Sequence, residues 1–456
     1  MQQLIKDHGH TTKDADIHRF GRMFPEPKQV DFDETAHRAL ADSMTDRSSD
    51  HPREDLAGVS AMYTYFGQFV DHDMTCDAEG GEIAPSRFSE NLPITLATPT
   101  LDLDSLYGEN NRFLNGEGKF NFGAFGGVGP AEKFSGKAPA IFQDVLRDSS
   151  GRVQIADSRN EDNIVISAIH VLFMQFHNLL VTKATEALIG RDFDHRDIAT
   201  VKHQVVRYYQ GIVIYDYLPK ILDSGVLNNA IKGEFSALNV SDSDAVFMPL
   251  EFSGAAFRFG HSMVRTCYDL NYFRSNEAAR RLLEFTNLNK LPHPGLLQRH
   301  NWRIDWKIFN QKNSRKIDTH ISPELMDLPH TGGGDLAFRN LKRGAYYRLP
   351  TGQDVAQHLG VTGLSRKELQ YGREEVVQAH GFDLHTPLWF YVLAEAEQRG
   401  GGRLGEIGSM IVAETICWLT NRSKVSILKD PLKVGEIEEV NCVSPNLQAV
   451  IDVVKA

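Results

Sequence analysis

The chain is poor in cysteine, in positive charge and in uninterrupted apolar sequence, and each shortage removes a class of protein. Four cysteines in 456 residues (Cys76, Cys267, Cys417 and Cys442) form no CxxC, no CxxCH and no zinc-type spacing. Such scattered thiols argue against a zinc site or a c-type haem attachment and suggest a reducing compartment. Lys and Arg number 49 against 60 Asp and Glu, for a formal charge of −11. A protein whose main task is gripping nucleic-acid phosphates or anionic lipid carries the opposite sign. The N-terminal residues are polar and dotted with His, without the apolar core or cleavage site of a secretory signal. The longest apolar stretch, residues 164–181, is broken by His170, Gln175, His177 and Asn178, which reads as a buried helix and not a membrane span. No period of solenoid or propeller length repeats. The expectation is a soluble cytoplasmic protein, with export by a dedicated secretion system left open.

What is present is helical periodicity. Val59, Met62, Phe66, Phe69 and Val70 recur at helical spacing, and residues 164–188 carry Ile169, Leu172, Phe176 and Leu180 on one face. A third helix is expected from Thr386, as N-cap, to Gln398, stopped by Gly400, Gly401 and Gly402; residues 407–419 give a fourth. Alternating strand patterns are scarce. The fold class read from this is mainly α: one large helical domain over residues 18–456, with long ordered loops and little β, behind a mobile arm of residues 1–17. The glycine-rich stretch 123–130 lacks the GK[ST] ending of a phosphate loop and reads as a turn.

Four stretches draw attention for their chemistry. In Gly67-Gln68-Phe69-Val70-Asp71-His72-Asp73, a helix places Gln68, Asp71 and His72 on one face, while Asp73 is rotated by roughly 100° from His72. A solvated helix end explains that triplet equally well. In residues 157–163, Arg159 and Asp162 stand at i and i+3 ahead of the apolar helix, which alone reads as a charged helix start. In residues 257–263, Arg258 and His261 are i and i+3, with Gly260 allowing close approach to the backbone; a lone His among aromatics is more often a core residue. Residues 336–344 contain Arg339, Asn340 and Arg343 and say little by themselves.

Together and in this order, the four stretches resemble the animal-type haem peroxidases, the superfamily of myeloperoxidase, lactoperoxidase, peroxidasin and the cyclooxygenases, and in particular its bacterial branch. The resemblance runs from about Arg19 to about Leu428. It implies one helical domain around haem b. His72 matches the distal histidine, Gln68 the distal glutamine and Arg159 the distal arginine. His261 matches the proximal iron ligand, Asn340 the side chain that hydrogen-bonds it, and Arg258 and Arg343 the haem-side arginines. The implied reaction is reduction of hydrogen peroxide through a ferryl intermediate, followed by oxidation of small aromatic donors or halides.

Two ester bonds to haem are implied at Asp71 and Asp162, where the second family position is usually Glu; the match favours Asp71. Asn163 stands where a sulfonium-forming Met is found, so that link is excluded. Asp73 with Thr98, Thr100 (through its carbonyl), Asp102 and Asp104 resembles the family's calcium loop, an all-oxygen donor set suited to Ca²⁺; without the resemblance it reads as a turn before a helix. The alternatives are a fatty-acid dioxygenase of the same superfamily and a haem-binding protein without turnover. Dioxygenases place a radical-forming Tyr three residues before the proximal His, where this chain has Arg258. Tyr63, Tyr65 and Tyr268 lie near the motifs, but none occupies that position. No nucleic-acid partner is expected, and oligomeric state is not readable.

Overall fold

The computed structural model describes residues 18–27, 32–46, 55–77, 94–124, 143–149, 152–188, 191–241, 244–284, 302–328 and 334–455. The expected arm of residues 1–17 and most of the glycine-rich stretch 123–130 lie outside them. The architecture is helical, with helices α1 (Glu34–Met44), α2 (Met62–Met74), α3 (Ile164–Ala187), α4 (His195–Ile212), α5 (Leu336–Tyr346), α6 (Leu388–Gln398) and α7 (Glu406–Arg422) as its main elements. The strands are short. His18–Gly21 lies between Ile94–Thr95 (antiparallel) and Phe247–Pro249 (parallel), and Asp55–Ser60 pairs with Asn313–Arg315. All four cysteines are free thiols.

The apolar segment that broke off at its histidines becomes the central helix α3. Asn163 caps it by accepting from the Val165 and Ile166 amides, satisfying two of the donors that a helix start leaves unpaired. It is long and apolar enough to cross a membrane, yet most of its most apolar stretch is buried inside the protein. Helices α2 and α4 pack on it, as does the C-terminal helix Leu447–Lys455. Phe69 of α2 stacks on Phe173 of α3 at 5.3 Å and 5° between planes, and Tyr209 of α4 meets both rings edge-on. This aromatic knot fixes the roll of α2 about its own axis.

Two sequence expectations shift. Val59 belongs to the strand Asp55–Ser60, and the helix begins only at Met62. Thr386 does not cap α6, which starts at Leu388 behind Pro387. Its hydroxyl is buried, donates to the Phe382 carbonyl and accepts from Gln353, so the loop partners took the oxygen a cap would have used. On the other side of the molecule, α6 packs against α7 and against the short turn Ala256–His261, while α5 packs between α1 and α6. Buried Glu395 of α6 accepts from the Ile407 and Gly408 amides, capping α7 from a neighbouring helix where Gly405 offers no side chain.

Candidate active site

The last turns of α2 divide their polar residues between two places. Gln68, Asp71 and His72 line a cavity of about 360 Å³, a size typical of small-molecule sites. Asp73, one residue on, points instead into the loop of residues 98–105. His72 is buried, and its Nδ1 lies 3.0 Å from Asn160 Oδ1. Asn160 in turn sets its Nδ2 3.1 Å from His170 Nδ1. The amide therefore accepts from the first ring and donates to the second, which leaves Nε2 of His72 with its lone pair. Burial, then the nearby Arg159 charge, lowers the His72 pKa to about 4, so the ring is a neutral base at neutral pH. Asn163 donates to Gln68 Oε1 at 2.9 Å, fixing which end of that amide faces the cavity.

The other histidine of the cavity, His261, ends a two-turn 3₁₀ helix, Ala256–His261, too short to hold itself rigid. Its neighbours hold it. Asn340 of α5 lies 2.8 Å from His261 Nδ1, and Trp389 of α6 donates to the Arg258 carbonyl. A half-turn of the Asn340 amide presents oxygen to an Nδ1–H, which frees Nε2 for a metal. Burial, then the charges of Arg258, Arg343 and Arg339, lowers the His261 pKa to about 3. Arg258 lines the cavity and donates through Nε to the Ser253 carbonyl; burial, then Arg343, lowers its pKa to about 10. Arg343 stands behind, paired with Asp77 and donating to the Tyr347 hydroxyl.

Arg159 is placed differently from the expectation. Its guanidinium clamps the buried Asp157 carboxylate at 2.6 Å and donates to the His72 backbone carbonyl at 2.9 Å, and it does not line the cavity. The cause is local. Asp157 caps the 3₁₀ turn Ser158–Glu161 that carries Arg159, so acid and base emerge side by side. Asp162 does line the cavity, and burial raises its carboxyl to about 7. Asn160 and His170, which the sequence reading did not assign to the site, complete the His72 side; no spacing rule singles out a buried Asn between two histidines so far apart in sequence.

This residue set fits a haem. A neutral imidazole is held at Nδ1 by Asn340, whose amide turned over leaves Nε2 free, a second one shares the same cavity, a partly buried arginine without an ion pair among the described residues awaits an anionic group, and Val264, Leu325, Leu328 and Leu336 supply apolar wall.

In the loop of residues 98–105, Asp73, Asp102 and Asp104 each bring a carboxylate oxygen within 4.8 Å of the others. Asp73 accepts from the Leu103 amide and from Ser105, Asp104 accepts from the Thr98 amide, and Asp102 accepts from the Thr100 hydroxyl. The Thr100 carbonyl accepts from the Asp102 amide. Burial and mutual repulsion push the Asp73 and Asp102 carboxyls upward. Leu103 sits at φ 58°, a left-handed conformation costly for a branched residue, so the loop holds strain to bring these oxygens together.

The sequence model described as animal haem peroxidase matches residues 82–369, more than half of the chain. Peroxinectin A of Dictyostelium discoideum is 28% identical over 213 residues, 45% of this chain and 37% of that protein. Thyroid peroxidase of Rattus norvegicus is 27% identical over 228 residues, 46% and 23% respectively. The chain thus spans well under half the length of these relatives. Peroxidase A from Dictyostelium discoideum has the same fold, with a TM-score of 0.67 at 17% identity, over 99% of this chain and 96% of its own. Fatty acid alpha-dioxygenase of Arabidopsis thaliana also gives 0.67, at 15% identity, over 96% and 77%. The matched span carries Arg159, His261 and Asn340, and the fold around them is shared end to end: the chain belongs to the animal haem peroxidase family.

Proposed function

We propose that the protein is a haem peroxidase, reducing hydrogen peroxide and oxidising small aromatic donors or halides. One observation carries this reading: two neutral imidazoles line one cavity, and each is fixed through Nδ1 by a buried Asn. Haem, when bound, supplies the iron that receives a peroxide oxygen and the electrons that part the O–O bond. His261 offers Nε2 as the ligand, and Asn340 accepting from Nδ1–H makes that nitrogen a stronger donor. His72 Nε2 takes the proton of the near peroxide oxygen and returns it to the departing one. Arg159 acts through His72: its charge disfavours the imidazolium, and its hydrogen bond holds the His72 backbone. Gln68, gripped by Asn163, turns its amide N–H toward water or halide in the cavity. The arginine three residues before His261 speaks against the dioxygenase alternative, because a fold shared with a dioxygenase does not supply the tyrosine.

Asp71 is the side chain favoured for an ester bond to haem. Thr75 orients its carboxylate, whereas Asp162 is partly protonated at neutral pH and so a weaker nucleophile. The loop of residues 98–105 with Asp73 is read as a Ca²⁺ site: its donors are all oxygen, and a divalent cation relieves the repulsion among three carboxylates.

His72→Ala should keep haem but react with peroxide about 100-fold more slowly in stopped flow, the scale of a lost general acid–base, while His261→Ala should lose haem. The reverse pattern overturns the assignment. After peroxide treatment, acid-acetone extraction should leave haem mass on the peptide carrying Asp71; complete extraction of free haem excludes the ester and leaves the peroxidase reading standing. Prolonged chelation, or joint substitution of Asp102 and Asp104 by Ala, should lower the melting temperature and shift the haem spectrum; no change in either means that the loop is only a turn. Arg159→Gln strands the Asp157 charge and should cost about 3–5 kcal/mol of stability at neutral pH. Burial pulls the Asp157 carboxyl upward, but Arg159 outweighs it and holds the group below the usual carboxylate range. A depressed pKa stabilises the fold above the unfolded value and is lost as pH falls, so the cost of Arg159→Gln should shrink below pH of about 4. Denaturant melts at two pH values check this, and an undiminished difference in acid refutes it.

A further inference from the structure

Tyr217 lines the same cavity as His72, at the end of a π-helical turn, Val213–Tyr217, where α4 takes in an extra residue. Its hydroxyl presses against Gly67 on α2, so closely that a Cβ there would overlap it. Gly67 is thus a helix-weakening residue in the middle of a buried helix, and the space it leaves is filled by a phenol. One turn earlier on the same face stands Tyr63. The two tyrosine rings are parallel, 6.3 Å apart with 8° between planes. The Tyr63 hydroxyl donates to Asp216 Oδ2 at 2.7 Å, and Lys220 pairs with the other oxygen of that carboxylate. The Lys220 ammonium also lies 4.8 Å from the Tyr63 ring centre.

Nothing in the peroxide chemistry derived above uses these groups. We propose that Tyr63 stores one oxidising equivalent as a neutral tyrosyl radical, filled through the Tyr217 ring from the cavity, with Asp216 holding the displaced proton. The inference rests on the peroxidase reading. Hydrogen peroxide at the haem is the oxidant. The Tyr63 O–H bond breaks, the electron passes by way of Tyr217 into the cavity, and the proton moves along the existing hydrogen bond to Asp216. A cation over the ring disfavours a charged radical, so electron and proton must leave together, and only a phenol with a built-in acceptor allows that.

Each hydrogen peroxide takes two electrons and two protons to become two waters. Tyr63 gives one of those electrons and a donor in the cavity the other, with the water protons drawn from donor and solvent. A second one-electron donor later restores Tyr63, which recovers its proton from Asp216. The rival tyrosine is Tyr65, which also lines the cavity and meets Tyr268 edge-on at 5.6 Å. Tyr268 accepts from the Arg265 amide, and among the described residues no carboxylate hydrogen-bonds either phenol.

The test mixes haem-loaded full-length protein with hydrogen peroxide without donor, freezes it within milliseconds and records the electron paramagnetic resonance spectrum. A tyrosyl signal is expected that is lost in Tyr63→Phe, forms more slowly in Tyr217→Phe and persists in Tyr65→Phe. A nitroso spin trap, read by fragment mass spectrometry, should label Tyr63. Asp216→Asn should move the g value that reports the hydrogen bond, which a packing change alone would not do. An undiminished signal in Tyr63→Phe, or a trap adduct on Tyr65, Tyr217 or Tyr268 instead, overturns the proposal. If the haem absorption changes on peroxide addition but Tyr63 is never oxidised, this inference alone fails. If peroxide causes no change at all, the peroxidase reading fails with it.

Discussion

The roll of one helix governs both polar sites of this protein. Phe66, Phe69 and Val70 bury one side of α2 against α3 and α4, and an α-helix turns by about 100° per residue. Once the aromatic stripe is seated, Asp71 and His72 have no choice but the cavity, and Asp73 none but the loop of residues 98–105. Three consecutive residues are thereby assigned to different chemistries without any loop intervening. A rotation of a fraction of a turn would blur the two sites together. The stacked pair Phe69–Phe173, the Arg159 hydrogen bond to the His72 carbonyl and the Asp73 contacts to Leu103 and Ser105 all resist it from different directions.

The parts of the site legible in the sequence are those that follow from spacing along one element. Gln68 and His72 at i and i+4 share a wall of the cavity, and Asp73 turns away, as the helical period requires. Asn340 and His261, 79 positions apart, meet through tertiary contact, and the family likeness had to supply that pairing. Arg159 has Asp157 two residues earlier in a tight turn, which holds its guanidinium beside that carboxylate and against the His72 carbonyl. Where a helix or strand expectation shifted, a short-range competitor won. Thr386 had the sequence of a cap but found Phe382 and Gln353 nearer. Val59 fits both periods, and its β-branched side chain went to the strand. Asn160, His170 and Tyr217 were invisible because nothing local marks a buried polar residue whose partner comes from another helix.

Both histidines show how the fold handles buried imidazoles. A free ring in a dry cavity would waver between tautomers, and either choice would leave one nitrogen unsatisfied. Asn160, held between His72 and His170, removes that ambiguity for His72, and Asn340 gives Nδ1 of His261 a partner in either tautomer, both with side chains that cannot titrate. Neutral contacts orient the two rings, with Arg159 behind His72 and Arg343 behind Arg258 one layer back, while Arg258, Asp71 and Asp162 reach the cavity itself.

The turn that carries His261 has a consequence for the life of the chain on the ribosome. Ala256–His261 is too short to hold its shape, and its supports, Asn340 and Trp389, come from helices far downstream. Synthesis runs from the N-terminus, and elements fold as their partners emerge. A nascent chain that has passed residue 261 has made the histidine but not the wall behind it, and the cavity closes only when α6 has left the exit tunnel. Haem capture therefore belongs to the end of translation or after it, and a chain truncated before α6 would expose its apolar cavity wall to solvent instead of to a cofactor.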